Sequence, residues 1–250
     1  MSSTPSQQTI VVLGATGNQG SGVVRALLND KYGDSWLIRA VTQDPQSEKA
    51  RKLLSEYQTP DNRLSLVSGN IYDETSLQHA FTGAYGVFAM TNEWLPGKAL
   101  IEEWEFKHEI DAGRNIISAA KKCNIQHFVF SSLPDTVKAS DGRFKRIHHM
   151  NNKYTIEQLA RNEIDGFTSL IPAGHIIVAY VLHKPGLTMR IVGPAFKEDA
   201  SEMMQLAAAA PADKTCYGAF ERDAEQDTEE LGVTASSFKD WLKRSGWTGP

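Results

Sequence analysis

The 250 residues include 41% hydrophobic and 22% charged side chains, enough apolar chain to bury one substantial core. A net charge of −4, with both signs mixed throughout, argues against the clustered Lys and Arg that a nucleic-acid or anionic-membrane surface requires, and leaves small molecules and proteins as partners. Cys123 and Cys216 have no metal-ligand spacing and form no disulfide framework, the start MSSTPSQQ lacks the apolar stretch of a signal peptide, and no apolar run reaches the roughly 18 residues of a membrane span. The expected setting is the reducing cytoplasm, with the nucleus as the alternative, and no metal is expected.

Residues 1–8 read as a disordered tail. Six short apolar runs then alternate with helix-period stretches: TIVVLG at 9–14, WLIRAVT at 36–42, LSLVSG at 64–69, GVFAMT at 86–91, HFVFSS at 127–132 and FTSLI at 167–171. Ala50, Leu53, Leu54 and Tyr57 share one helix face, and Ile110, Gly113, Ile117 and Ala120 share another. This alternation predicts βαβ units, and right-handed crossovers assemble them into an α/β fold with a Rossmann-type doubly wound parallel sheet. EEWEFKHEID at 102–111 predicts an exposed helix with Trp104 turned inward.

Beyond Ile171 the rhythm breaks. HIIVAYVLHKPGLTMRIVG at 175–193 predicts two strands joined at Lys184-Pro185-Gly186, an Ala-rich helix follows near 200–210, and ERDAEQDTEE reads as a solvated helix face. Ser236 or Ser237 is placed to cap a terminal helix. With no repeat and no low-complexity linker, 9–250 is expected to be one domain, a core of about 9–172 with a small C-terminal lobe of about 173–250.

The stretch IVVLGATGNQGSGVV holds Gly14, Gly17 and Gly20 as GxxGxxG between a strand and a helix. Gly14 permits a tight turn, Gly17 admits a pyrophosphate to the backbone, Gly20 brings helix close to strand, and the helix N-terminus supplies amide donors with a positive dipole. Thr16, Asn18 and Gln19 line that turn. The adenosine ribose is read after the second strand, at Thr42 and Gln43, where the charge signal is mixed: Asp44 follows at once, and Lys49, Arg51 and Lys52 stand further on, either near a phosphate or as plain helix-surface charges.

Ligands in such sheets bind beyond the carboxyl ends of the strands. Expected there are Thr91, Asn92 and Trp94 after strand four, Ser131, Ser132 and Leu133 after strand five, and Pro172, Ala173, Gly174 and His175 after strand six. Trp94, Leu133 and His175 are the substrate-side candidates, and His175 is also a candidate acid. His148 and His149, just before Lys153, are placed where an imidazole could serve as general acid, with ordinary loop or packing residues as the plainer reading. Tyr154 follows Lys153 directly, about 100° around a helix, so the two do not form one acid system. There is no G-x-S-x-G elbow, helical metal-binding His pair or phosphate loop ending in Lys-Ser or Lys-Thr.

VLGATGNQGSGVVRALL, RAVTQDPQSEKARKL, LVSGNIYDETSLQHAFTGAYGVFAMTNEW, EIDAGRNIISAAKKCNIQHFVFSSLPD and NNKYTIEQLAR, in that order over roughly the first 170 residues, resemble the NmrA-like family of atypical short-chain dehydrogenases/reductases. The resemblance implies a Rossmann core binding NADP(H) ahead of NAD(H), with Asn70 and Ile71 at the adenine and Lys153 at the nicotinamide ribose, where in reductases it also orients or protonates substrate. Gln43 stands where many relatives have an arginine, Asn70 where an aspartate is usual, and Ile171 where an arginine precedes the proline, and the lobe of about 173–250 is shortened relative to typical members. The resemblance also implies that EEWEFKHEID at 102–111 is a helix that pairs two copies into a homodimer.

Three functions follow as expectations. The first is an NAD(P)H-dependent oxidoreductase of a small carbonyl, imine or enone in secondary metabolism. The others are a non-catalytic redox-sensing regulator acting through a protein partner, and a cofactor-retaining isomerase or cyclase.

Overall fold

Side-chain parity along each strand builds two cores, one on each face of a single sheet. In the computed structural model, which describes residues 7–29, 36–95, 97–171, 198, 199, 201–203, 205 and 206, six strands are laid down: β1 (Thr9–Val12), β2 (Leu37–Thr42), β3 (Leu64–Ser68), β4 (Gly86–Ala89), β5 (His127–Ser131) and β6 (Phe167–Leu170). All pair in parallel in the order β3-β2-β1-β4-β5-β6. Each predicted run becomes a strand within a residue or two of its expected ends.

Helices α1 (Asn18–Leu27), α2 (Glu48–Tyr57), α3 (Glu74–Phe81), α4 (His108–Lys122), α5 (Thr136–Ala139) and α6 (His148–Glu163) connect or follow the strands. Val11, Val41, Val87, Phe128 and Phe130 turn to the face covered by α3, α4 and the carboxyl half of α6. Their alternate neighbours Val12, Ile38, Ala40, Leu64 and Phe88 turn to the face covered by α1 and α2. Burial on both faces explains why these strands read as apolar runs rather than as alternating ones.

The described residues divide between two compact units: the first drawn from Met1–Asn92, Lys107–Ser132 and Thr155–Leu170, the second from Glu93–Phe106, Leu133–Tyr154 and Ile171–Pro250. The first unit holds the whole sheet. In the second, Phe144, Ile147 and Met150 pack with Met203 and Leu206, and Leu100 packs with Phe106. Its 102–107 stretch is not the helix expected: Glu103–Lys107 is a 3₁₀ turn, and Trp104 lies 65% exposed rather than inward. Only the register of Phe106 is committed to the core there, so the turn leaves Trp104 outside. Glu105 closes the preceding loop by accepting the N–H groups of Ile101 and Glu102 and an ion pair from Lys98, which together hold its carboxyl down at about 2.

Residues 201–203, 205 and 206 are helical, within the expected Ala-rich helix. The 175–193 strand pair, the acidic run and the Ser236 or Ser237 cap lie outside the described residues. Among the described residues no helix is long and apolar enough to cross a membrane, and no group of three or more His, Cys, Asp or Glu side chains is placed to hold a metal ion.

Candidate functional site

β1 ends where the sheet order reverses between β1 and β4, the position at which doubly wound sheets open a crevice. The glycine turn follows at once. Gly14 adopts φ +62°, a left-handed conformation that side-chain-bearing residues rarely take, and its carbonyl accepts the Gly17 N–H at 2.9 Å. A Cβ on Gly20 would stand 2.6 Å from the Gly14 carbonyl carbon and 2.8 Å from Ala15 Cα, so only glycine lets α1 start this close to the strand.

The amino end of α1 differs from its neighbours on the sheet. Ser47 caps α2 and Asp73 caps α3 with side-chain oxygens on backbone amides. Gly17 caps α1 with no side chain, and the first turn of α1 contains no acid. The orphan amides and dipole of this helix end therefore face outward among exposed Gly17 and Asn18 and half-buried Thr16 and Gln19. That is a fit for the pyrophosphate of a dinucleotide.

The remaining predicted residues of the first unit stand at the expected strand ends, with side chains committed in ways the sequence did not reveal. Ser131, 3% exposed, donates to Oε1 of Gln19 at 3.0 Å and thereby props the glycine turn from β5. Thr91, equally buried, donates to Oε1 of Glu109 at 2.7 Å. Glu109 is wholly buried in the first turn of α4, where the helix dipole favours a carboxylate. Glu109 was not among the expected residues, yet it shares the buried stripe of Ala112, Gly113 and Ile116, and an acid in such a stripe is a readable signal.

Asn70 accepts the Tyr72 N–H at 3.0 Å, and Ile71 packs against the core while its carbonyl accepts from Asn115. The Tyr72 hydroxyl lies 2.9 Å from Nδ1 of His108; burial, then the charge of Glu109, raises its pKa. After β2, Thr42 is half-buried and Gln43 exposed, and the Asp44 carboxylate turns back to accept the Gln46 N–H at 2.8 Å. Lys49, Arg51 and Lys52 are exposed on α2, and Asn92 is exposed after β4. A groove of about 390 Å³ between α4 and α6 brings together none of the predicted residues; it runs over Ile117 and Leu159, and its Lys121 is paired with Glu163.

The second unit holds Trp94, Leu133 and Lys153, all half-buried, with Leu133 packed against the Phe144 cluster. Lys153 lies in the second turn of α6, which begins at His148. His149, four residues earlier, lies on the same face; its Nδ1 is 2.7 Å from Asp199 Oδ1 and 3.6 Å from Glu93 Oε2. Glu93 and Asp199 were not singled out from the sequence, and nothing local ties Asp199 to a histidine fifty positions away. Pro172, Ala173 and His175 lie outside the described residues.

The NmrA-like family profile matches residues 6–185. The chain belongs to the NmrA-like family. It is 34% identical over 163 residues to the NmrA-like family domain-containing oxidoreductase FrzB of a Cladobotryum species, covering 65% of this chain and 44% of that protein. It is 32% identical over 178 residues to the NmrA-like family domain-containing oxidoreductase malD of Malbranchea aurantiaca, covering 67% and 47%. The chain spans about half the length of these curated relatives, 44% and 47%. Among solved structures, vestitone reductase from alfalfa (Medicago sativa L.) is similar with a TM-score of 0.51 at 14% identity, over 67% of this chain and 57% of that one, a likeness of fold. The fold of this NmrA-like chain is that of NAD(P)-binding Rossmann proteins.

Proposed function

We propose that this NmrA-like chain binds a nicotinamide dinucleotide at the Gly14–Gly20 turn and uses its reduced form to reduce a small carbonyl, imine or enone. The observation that carries this reading is the amino end of α1, left uncapped by any side chain at the switch point of the sheet. The relatives named as oxidoreductases support the redox class. When bound, the dinucleotide supplies a hydride.

The chain's own residues then have separable tasks. The amides opening α1 bind the pyrophosphate, Ser131 keeps Gln19 and the turn in place, and Glu109 holds the Thr91 hydroxyl in one orientation. We place NADP(H) ahead of NAD(H), because Gln43 is uncharged and exposed and the Asp44 carboxylate is folded into its own turn. In this reading the Lys153 ammonium, at the position where the family resemblance puts the nicotinamide-ribose lysine, holds ribose hydroxyls and steadies negative charge developing on substrate oxygen.

Titration calorimetry with NADPH, NADP⁺, NADH and NAD⁺ in one buffer tests the reading. Preferential binding of NADPH is the expected result. A preference for oxidised forms turns the reading to a redox-sensing regulator, and no binding overturns it. Lys153→Ala is expected to abolish turnover with the fold intact; full activity refutes its role.

A further inference from the structure

Within the first unit, the chain leaving β3 runs beside the end of β2, where the base-bearing ribose is expected. The Gly69 N–H donates to the Thr42 carbonyl at 3.0 Å, and the Ser68 hydroxyl donates to the Gln43 carbonyl at 3.2 Å. A Cβ on Gly69 would stand 2.5 Å from Val41 Cγ1, so the two chains are close here. In the order β3-β2-β1, a dinucleotide with its pyrophosphate on the β1 turn and its ribose at the end of β2 carries its base onward, to the residues after β3. Asn70, the second residue after β3, is exposed.

Asn70 is committed to its own loop through every polar group but one. Its N–H donates to the Ser76 hydroxyl oxygen at 2.9 Å, its carbonyl accepts the Asp73 N–H at 2.9 Å, and its side-chain Oδ1 accepts the Tyr72 N–H at 3.0 Å. An N–H needs an acceptor, so the Tyr72 bond settles which way the carboxamide is turned: oxygen onto the loop, Nδ2 with its two donors left over. Among the described residues no acceptor meets Nδ2. The loop itself is anchored, since the Tyr72 hydroxyl lies 2.9 Å from His108 Nδ1 and the Ile71 carbonyl accepts from Asn115 at 3.1 Å. The group that Asn70 offers to a base is therefore a donor.

That polarity decides which purine suits the position. A carboxylate accepts only; it attracts the N6–H2 donor of a 6-amino purine and repels the O6 acceptor of a 6-oxo purine. An amide donor meets O6 directly, whereas on adenine it meets only a ring nitrogen. We propose that Asn70 opens the base end of the dinucleotide site to 6-oxopurine dinucleotides, of the hypoxanthine class, on equal terms with adenine dinucleotides, a specificity that rests on the dinucleotide reading above.

The test is calorimetry of wild type and Asn70→Asp with two ligands: NADPH, and its hypoxanthine analogue in which oxygen replaces the 6-amino group. The two ligands share every other atom that the site meets, so the ratio of their affinities isolates the base. Wild type is expected to bind the analogue no more than about threefold more weakly than NADPH. Asn70→Asp keeps an oxygen for the Tyr72 N–H and exchanges the donor for an acceptor. Its added charge repels the phosphates of both ligands alike, and the ratio is expected to move about tenfold or more in favour of NADPH. Slow exchange of the Tyr72 amide in the ligand-free variant checks that the loop is kept. A wild-type preference for NADPH above about threefold overturns the proposal whatever the variant does, and so does a ratio that Asn70→Asp leaves in place. In both cases NADPH still binds and the dinucleotide reading stands. A wild-type chain that binds neither ligand overturns both.

Discussion

The amino ends of α1 and α6 pose the same electrostatic problem and reach opposite solutions. Neither helix has an acid in its first turn, so each leaves amide donors and positive dipole unbalanced by its own sequence. At α6, the Arg146 N–H is accepted by Glu202 at 2.7 Å and the His149 N–H by Asp199, carboxylates supplied from later in the chain. At α1, Gly17 brings no side chain at all. A helix end filled by the protein's own carboxylates is structural, whereas one kept bare, with glycines shaping the backbone around it, is available to an anion from outside.

The most severe way to break the bare end is Gly20→Val. Its Cβ would meet the Gly14 and Ala15 backbone, which has no room to give, and a loss of roughly 3 kcal/mol or more is expected in urea unfolding, together with dinucleotide binding. Gly17→Asp is the sharper test because it gives α1 what α6 already has. The extended backbone of Gly17, φ −90° and ψ 173°, suits an aspartate cap. Stability should move by less than about 1 kcal/mol while NADPH affinity drops roughly 100-fold or more, since the new carboxylate occupies the amides and repels phosphate. Unchanged affinity would show that the α1 end is not the binding site.

At the filled end, Glu202→Ala removes the acceptor from the Arg146 N–H and guanidinium. Amide exchange at Arg146 and His149 should quicken by about tenfold, with protection of the sheet unchanged. The smallest effect is on pH. His149 is raised in the folded chain, so its contribution is complete below about pH 6.5 and is lost as pH rises through the folded value. Burial raises the pKa of Glu202, but the N–H and guanidinium of Arg146 lower it by more, so its contribution is complete above about pH 4.3 and is lost as pH falls through the lowered value. Protection of the α6 amino end should therefore be greatest between roughly pH 4.5 and 6.5; a maximum on the alkaline side would contradict the His149–Asp199 pairing.

Strand positions, the parallel pairing and the glycine turn were legible in the sequence because each depends on local chemistry: apolar runs bounded by turns, and glycines where a side chain would collide or a positive φ is needed. The role proposed for Lys153 rests on the resemblance of ordered segments. Committed polar pairs were not legible. Thr91 and Ser131 were expected at strand ends, but their partners Glu109 and Gln19 lie 18 and 112 positions away, separations that no periodicity reports. Trp104 was expected inward, and a 3₁₀ turn left it outside.

The sequence by itself determined a doubly wound sheet and a glycine turn between its first strand and first helix, since apolar period and glycine placement act over a few residues. Only the tertiary structure decided which of two uncapped helix ends stays open and which histidine is held by a carboxylate. Those choices depend on buried charges finding partners across the fold, where an unpaired carboxylate or imidazolium is too costly to persist.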